Sequence, residues 1–316
     1  MANFLFWFSK GGDMGTGSIA NFTALSSTTM IYVLLSVVSS VTVSVILKLA
    51  RQYQVDTTQL IVWNYPVAVG CTWFFLSPEW TPAMADRAPW LLYGALAVLL
   101  PGIFFALSAS IRYAGIVRTE VAQRLSLFIA LIAAFWLFNE SAQAGKLVGV
   151  AVGVVGILCS IGWHKGKNQY GRNHGAWLFP MVVFFGYGII DILFKQIAQH
   201  SGVPYTTSML VVFCLAMLAA LGFLTYHLTV SRKKFSVHAI FWGVVLGGFN
   251  FANILFYMKA HRALPDNPSI VFTGMNVGVI ALGALVGITL FREKLSFINK
   301  IGIILAVVSV LIIAYL

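Results

Sequence analysis

The chain is patterned as long apolar runs separated by short polar breaks. The runs fall at 31–50, 58–77, 89–110, 118–138, 144–163, 176–198, 206–229, 237–260, 269–290 and 297–316. Each is close to the ~20 residues that carry a helix across a ~30 Å hydrocarbon core, and each is apolar all round rather than striped along one face. The breaks carry turn and charge signals: Ser77-Pro78-Glu79, Asn139-Glu140, Arg232-Lys233-Lys234 and Leu264-Pro265-Asp266. The pattern predicts an all-α integral membrane protein of ten transmembrane helices, with connections short enough to force neighbours antiparallel. Ahead of the first run, residues 1–29 hold a short apolar patch, Phe4 to Phe8, and a Gly/Ser/Thr-rich stretch without sustained helical periodicity. That segment is expected to be a flexible N-terminal extension, its patch too short for a span or a signal peptide.

A second pattern lies above the first. Leu137-Phe138-Asn139-Glu140, with Gly149 beyond it, matches Leu290-Phe291-Arg292-Glu293 and Gly302 at an offset of 153. Val45-Ile46-Leu47-Lys48 matches Ile192-Leu193-Phe194-Lys195 at 147, Thr57-Thr58 matches Thr206-Thr207 at 149, and Arg112 matches Arg262 at 150. An offset that rises steadily along the chain is the trace of a duplication with small insertions. The expected organisation is a first five-helix repeat at 30–164, a linker loop at 165–175 and a second five-helix repeat at 176–316. Five is odd, so tandem copies enter the membrane in opposite orientation. Such inverted repeats are related by a pseudo-two-fold axis in the membrane plane, with a substrate site near the midplane between them.

Composition agrees with a lipid solvent: 59% of residues are hydrophobic and 9% are charged, against about 25% charged in a soluble domain. The net charge of +11 does not make a nucleic-acid binder, because the basic residues sit in short segments between apolar runs and form no continuous face. Anionic lipid and topology account for them. The loops after runs one, three, five, seven and nine hold Lys48, Arg51, Arg112, Arg118, Lys165, Lys167, Arg172, Arg232, Lys233, Lys234, Arg292, Lys294 and Lys300, 13 of the 20 cations. That excess marks the cytoplasmic side and puts both termini outside the cytoplasm. Cys71, Cys159 and Cys214 lie inside apolar runs without CxxC pairing, and the six histidines fall near run ends at no metal-ligand spacing. No metal and no cofactor is expected.

Two five-helix units, each closing with a Phe-x-Glu turn and a glycine-bearing last helix, resemble the EamA-type permeases of the drug/metabolite transporter superfamily. The resemblance covers about residues 30 to 316. It implies a ten-helix permease in which spans 1, 3, 4, 6, 8 and 9 surround a central cavity and spans 5 and 10 pack as a supporting hairpin away from it. The superfamily handles amino acids, nucleotide sugars, aromatic compounds and other solutes, so the resemblance names no substrate. Relatives in eukaryotic organelles have both termini cytosolic, opposite to the charge count. The expected setting is a bacterial inner membrane.

Polar side chains inside a bilayer are costly, by about 2.5–3.5 kcal/mol for a charge at the centre on insertion scales, so each one present calls for a reason. In the fourth run Glu120 and Arg124 share a helical face with Gln123 beside them; they form either a cavity wall for a charged or zwitterionic solute or an ion pair near the interface. Asn276 is equivalent to Gln123 at the offset of 153, so two amides stand at matching depths. In the sixth run Asp191 and Lys195 repeat the spacing of four, allowing self-neutralisation. If transport is proton-coupled, Asp191 or Glu120 is the natural carrier, because burial of a carboxylate favours its protonated form. Asn250, Asn253 and Tyr257 stripe one face of the eighth run, for ligand contact or for tying helices together. Asn64, Tyr65 and Tyr187 read as structural. The candidate substrate-binding set is therefore Glu120, Gln123, Arg124, Asp191, Asn250, Asn253 and Asn276.

No GxSxG, HExxH or Walker sequence is present, and no confident carboxylate pair exists, which argues against an intramembrane enzyme and a nucleotide-driven pump. The expectation is a secondary transporter of a small polar or amphipathic metabolite working by alternating access. A flippase of a lipid-linked substrate is the nearest alternative.

Overall fold

In hydrocarbon the backbone has only itself to bond, so unbroken apolar runs fold as helices. The computed structural model describes residues 16–114, 116–141, 144–160, 175–230, 235–291 and 297–315. Every regular element among them is helical: α1 Thr16–Gln52, α2 Thr57–Leu76, a short α3 Pro82–Arg87, α4 Trp90–Ala114, α5 Ile116–Leu125, α6 Leu127–Trp136, α7 Ala144–Ser160, α8 Gly175–Gln199, α9 Tyr205–Thr229, α10 Val237–Ala263, α11 Pro268–Phe291 and α12 Phe297–Tyr315. Seven helices among the described residues are long and apolar enough to cross a membrane: Met30–Ala50, Thr57–Leu76, Trp90–Ile111, Leu178–Gln199, Tyr205–Thr229, Val237–Ala263 and Pro268–Leu290. The architecture is that of a multi-pass helical membrane protein. Where spans four, five and ten were expected, the apolar helices are shorter, at Ala122–Trp136, Leu147–Gly156 and Lys300–Ser309.

Two expectations change. The helix of the first span starts at Thr16, inside the segment expected to be a flexible extension. Once a helix is nucleated, each further residue adds one bond at little cost, and neither proline nor glycine stands between Ser18 and Thr29 to stop it. The fourth run is divided at Ser126, which keeps helical angles (φ −54°, ψ −23°) while the next turn tightens, Ile129 N bonding Ser126 O at 3.0 Å. Its hydroxyl donates back to Gln123 O at 2.6 Å, and such back-bonding bends helices. Most of the expected linker, 165–174, lies outside the described residues.

The helices pack across the two halves of the chain. The most extensive contact joins α7 to α12; α10 lies on α1 and α2, α4 lies on α8 and α9, α2 meets α9, and α11 touches α1, α6 and α12. Small residues set the closest approaches. A Cβ at Gly153 would lie 2.5 Å from Ser309 Oγ, and Ser309 itself donates to Gly149 O at 2.7 Å, so α7 and α12 meet almost backbone to backbone. At Gly247 a Cβ would lie 2.8 Å from Asn64 O on α2, whereas at Gly248 it would meet nothing within 4 Å.

The Phe-x-Glu turn proves to be a bolt between the halves. Asn139 takes the left-handed conformation (φ 51°), which an asparagine tolerates. Glu140 is buried, and its carboxylate accepts from Ser269 N at 2.9 Å and from Ser269 Oγ at 2.5 Å. It thereby satisfies a donor at the N-terminus of α11, where negative charge is favoured. Close by, the buried Lys195 donates from Nζ to Pro265 O at 2.7 Å, and Gln199 Nε2 donates to the same carbonyl at 2.8 Å. These contacts fix the turn from α10 into α11.

Candidate functional site

A cavity of about 120 Å³ opens among α1, α5 with its junction to α6, α8, α10 and α11. From the first half of the chain, α1 contributes Ser40, α5 contributes Gln123 and Arg124, and Ser126 stands at the α5–α6 junction. From the second half, α8 contributes Tyr187 and Asp191, α10 contributes Asn253 and Tyr257, and α11 contributes Asn276. Phe194, Ile254, Met275 and Val279 complete the wall. Among the described residues none of α4 lines it.

The polar groups are positioned by bonds that use only part of their capacity. Tyr257 donates its hydroxyl to Asp191 Oδ1 at 2.8 Å, a charge-assisted bond when the carboxylate is ionised. The Tyr257 ring is held edge-on by Phe194 and by His261, with centroids 6.4 and 4.6 Å away. Ser36 Oγ lies 2.8 Å from Asn253 Oδ1 and donates to it, which leaves the amide's N–H₂ as a donor. Asn276 has the opposite arrangement: its Nδ2 donates to Phe272 O at 3.0 Å, leaving its Oδ1 as an acceptor. Tyr187 shares the cavity wall with Arg124 and Asp191.

Five of the seven candidates, Gln123, Arg124, Asp191, Asn253 and Asn276, meet at this one cavity. The side chain of Glu120 lies outside the described residues. Asn250 goes elsewhere: its Nδ2 donates to Asn64 Oδ1 at 3.1 Å, tying α10 to α2. The expected neutralisation of Asp191 by Lys195 does not occur, since Asp191 bonds Tyr257 while Lys195 reaches past the helix end to Pro265 O. A four-carbon stem lets the ammonium choose the more distant carbonyl. Tyr187, read from sequence as structural, lines the cavity. Ser126 and the bolt at Glu140 were missed; the equivalence of Glu140 with Glu293 was the only signal available. His261, one of the six histidines near run ends, is fully buried against Tyr257 and Phe272, and neither ring nitrogen has a hydrogen-bond partner among the described residues.

A larger cavity of about 720 Å³ runs between α1, α11 and α12, lined by residues such as Val33, Val37, Gly274, Gly278, Ala281 and Ile303. Among its described lining residues no polar side chain stands, whereas the polar candidates gather at the smaller one. Among the described residues no three His, Cys, Asp or Glu side chains gather as a metal site.

No family model matches the chain. A chain of one solved crystal structure is similar at a TM-score of 0.70, over 90% of this chain and 96% of its own length, with 14% identity; that is a likeness of fold alone. An uncharacterized protein of Haemophilus influenzae is 38% identical over 286 residues, which make up 89% of this chain and 96% of the relative. With that identity sustained over nearly the whole of both sequences, the chain belongs to the family of the Haemophilus influenzae protein.

Proposed function

We propose that the protein is a secondary transporter of a small polar or amphipathic metabolite, an EamA-type permease of a bacterial inner membrane that works by alternating access. The observation that carries this reading is the cavity itself. Polar side chains from both halves converge on one space inside an otherwise apolar bundle, and polar groups within a membrane mark substrate and ion pathways. In this reading α5 and α6 form one bent span, α7 and α12 are the fifth and tenth, and the protein has ten spans in two inverted repeats. The packing supports it. The first span of each half lies on the third span of the other, as α1 on α10 and α8 on α4, while α2 meets its counterpart α9 and α7 meets α12. Rocking one half against the other would present the cavity to each side of the membrane in turn. If the cycle is proton-coupled, Asp191 carries the proton, with Tyr257 donating to its charged form.

Metabolite profiling tests the proposal. Cells expressing the wild type are compared with cells expressing Asp191→Asn at matched membrane abundance. A solute class redistributed between cells and medium by the wild type alone is expected; identical profiles contradict it. The groove between α1, α11 and α12 favours a second reading, a flippase, because a lipid-linked substrate would need an apolar channel beside a polar site. That reading expects a lipid, and no water-soluble solute, to change sides.

A further inference from the structure

We propose that the polar cavity binds a monovalent metal cation, sodium, between the carboxylate of Asp191 and the side-chain oxygens of Asn276 and Ser40. Its role as the coupling ion rests on the transport reading above; the binding rests on the cavity alone.

Asp191 is a carboxylate without a counter-ion. It lines the cavity from α8, and its bonded oxygen, Oδ1, accepts from the neutral Tyr257 at 2.8 Å. Among the described residues Oδ2 accepts from nothing, and no cation lies within 4 Å of either oxygen. Lys195, four residues along the same helix, is bound to Pro265 O. Arg124 has interactions of its own, none of them with Asp191. A carboxylate inside a membrane is neutralised by a proton or by a cation.

The oxygens around it decide between the two. A proton on Oδ2 would need a single acceptor, and the cavity offers several. Asn276 commits its Nδ2 to Phe272 O at 3.0 Å, which leaves Oδ1 as an acceptor on the wall. Ser40 lines the cavity from α1, and its hydroxyl has no partner among the described residues. Asn253 Oδ1, bonded by Ser36 Oγ at 2.8 Å, keeps a second lone pair. Carboxylate, amide and hydroxyl oxygens are the ligands of a hard cation. They come from α8, α11 and α1, so the ion would bridge the two halves near the middle of the bundle, where inverted-repeat transporters hold coupling ions.

Charge and size narrow the choice. Asp191 is the one carboxylate among the described lining residues, so it neutralises a singly charged ion and leaves a divalent one with excess charge inside the bilayer. Calcium sites draw on several carboxylates. No three His, Cys, Asp or Glu side chains gather among the described residues, as a transition metal would ask. The expectation of no metal rested on cysteine and histidine spacing, which does not bear on oxygen ligands. A cavity of about 120 Å³ is roughly four times the ~30 Å³ share of a water in the liquid, room for a cation that keeps part of its water.

The test measures binding of radioactive sodium to the full-length protein in lipid nanodiscs at constant ionic strength. Saturable binding is expected, displaced by unlabelled sodium and at least tenfold less well by choline or calcium. Asp191→Asn should lower the affinity by tenfold or more, and Asn276→Ala and Ser40→Ala by about threefold each. No saturable binding, equal displacement by choline or calcium, or undiminished binding by Asp191→Asn overturns the proposal. Should Asp191→Asn misfold, the double variant Ser40→Ala/Asn276→Ala decides, with undiminished binding again overturning it. Repeating the metabolite profiling in sodium and in choline medium separates the two readings. A solute redistributed equally in both leaves transport standing and overturns sodium as the coupling ion. No redistribution in either medium, with sodium bound by the purified protein, removes the transport reading alone.

Discussion

At the scale of residues, four buried or cavity-lining ionisable side chains divide between two tasks. Asp191 and Arg124 face the cavity, while Glu140 and Lys195 are spent on the turn between α10 and α11. A buried carboxylate that satisfies a backbone N–H and a hydroxyl together is costly to lose, because both donors are then left without a partner. Glu140→Ala is expected to lower stability by about 2–3 kcal/mol, read as a fall in the thermal unfolding midpoint of the purified protein. Ser269→Ala, which keeps the backbone donor, should lower it by less. Equal midpoints for Glu140→Ala and the wild type would remove the bolt from the account. The division was only half legible in the sequence. Spacing of four put Asp191 beside Lys195 and gave both the same helical face, but the length of the lysine stem and the carbonyl of Pro265, 70 residues away along the chain, decided where the ammonium went.

At the scale of elements, seven of the expected spans were readable because hydrocarbon imposes a length, whereas the start of the first helix and the division of the fourth run were not. Which side of a helix faces the cavity was not readable. Asn250 and Asn253 share a face by spacing, yet one ties α10 to α2 and the other lines the cavity. That choice belongs to neighbouring helices distant in sequence. The division at Ser126 was hidden for a related reason: its signal is a single hydroxyl whose backbone partner becomes visible only in three dimensions. Glycine roles divide in the same way. Gly247 and Gly248 are adjacent and look equivalent, but a Cβ at Gly247 collides with α2 and one at Gly248 meets open space. Gly247→Ala is therefore expected to destabilise the protein by about 1–3 kcal/mol. Gly248→Ala should be neutral or stabilising by up to about 1 kcal/mol, the gain in helix propensity. Matched thermal melts of the two variants check the contrast, and a reversed order would mean that α10 does not pack on α2 as described.

At the scale of the whole molecule, the account stands on ten crossings and on a cavity reached from both sides. The shorter α5–α6, α7 and α12 decide the first point. Single cysteines at Gln54, Ser141 and Ser201, introduced after Cys71, Cys159 and Cys214 are replaced by serine, report the fourth and fifth crossings by labelling with an impermeant thiol reagent. Ten spans put Ser141→Cys on the same side as Ser201→Cys and opposite Gln54→Cys. If the fourth and fifth helices do not cross, Ser141→Cys labels with Gln54→Cys instead. The charge count adds that the Gln54 side is cytoplasmic. Alternating access is the central claim, and its most direct test places a cysteine at Asn276, on the cavity wall, in the same cysteine-free background. Right-side-out and inside-out membrane vesicles are treated with the impermeant reagent. Modification in both preparations is predicted, because each orientation of the transporter opens the cavity to one side. Modification in only one preparation, however long the exposure, would contradict the account.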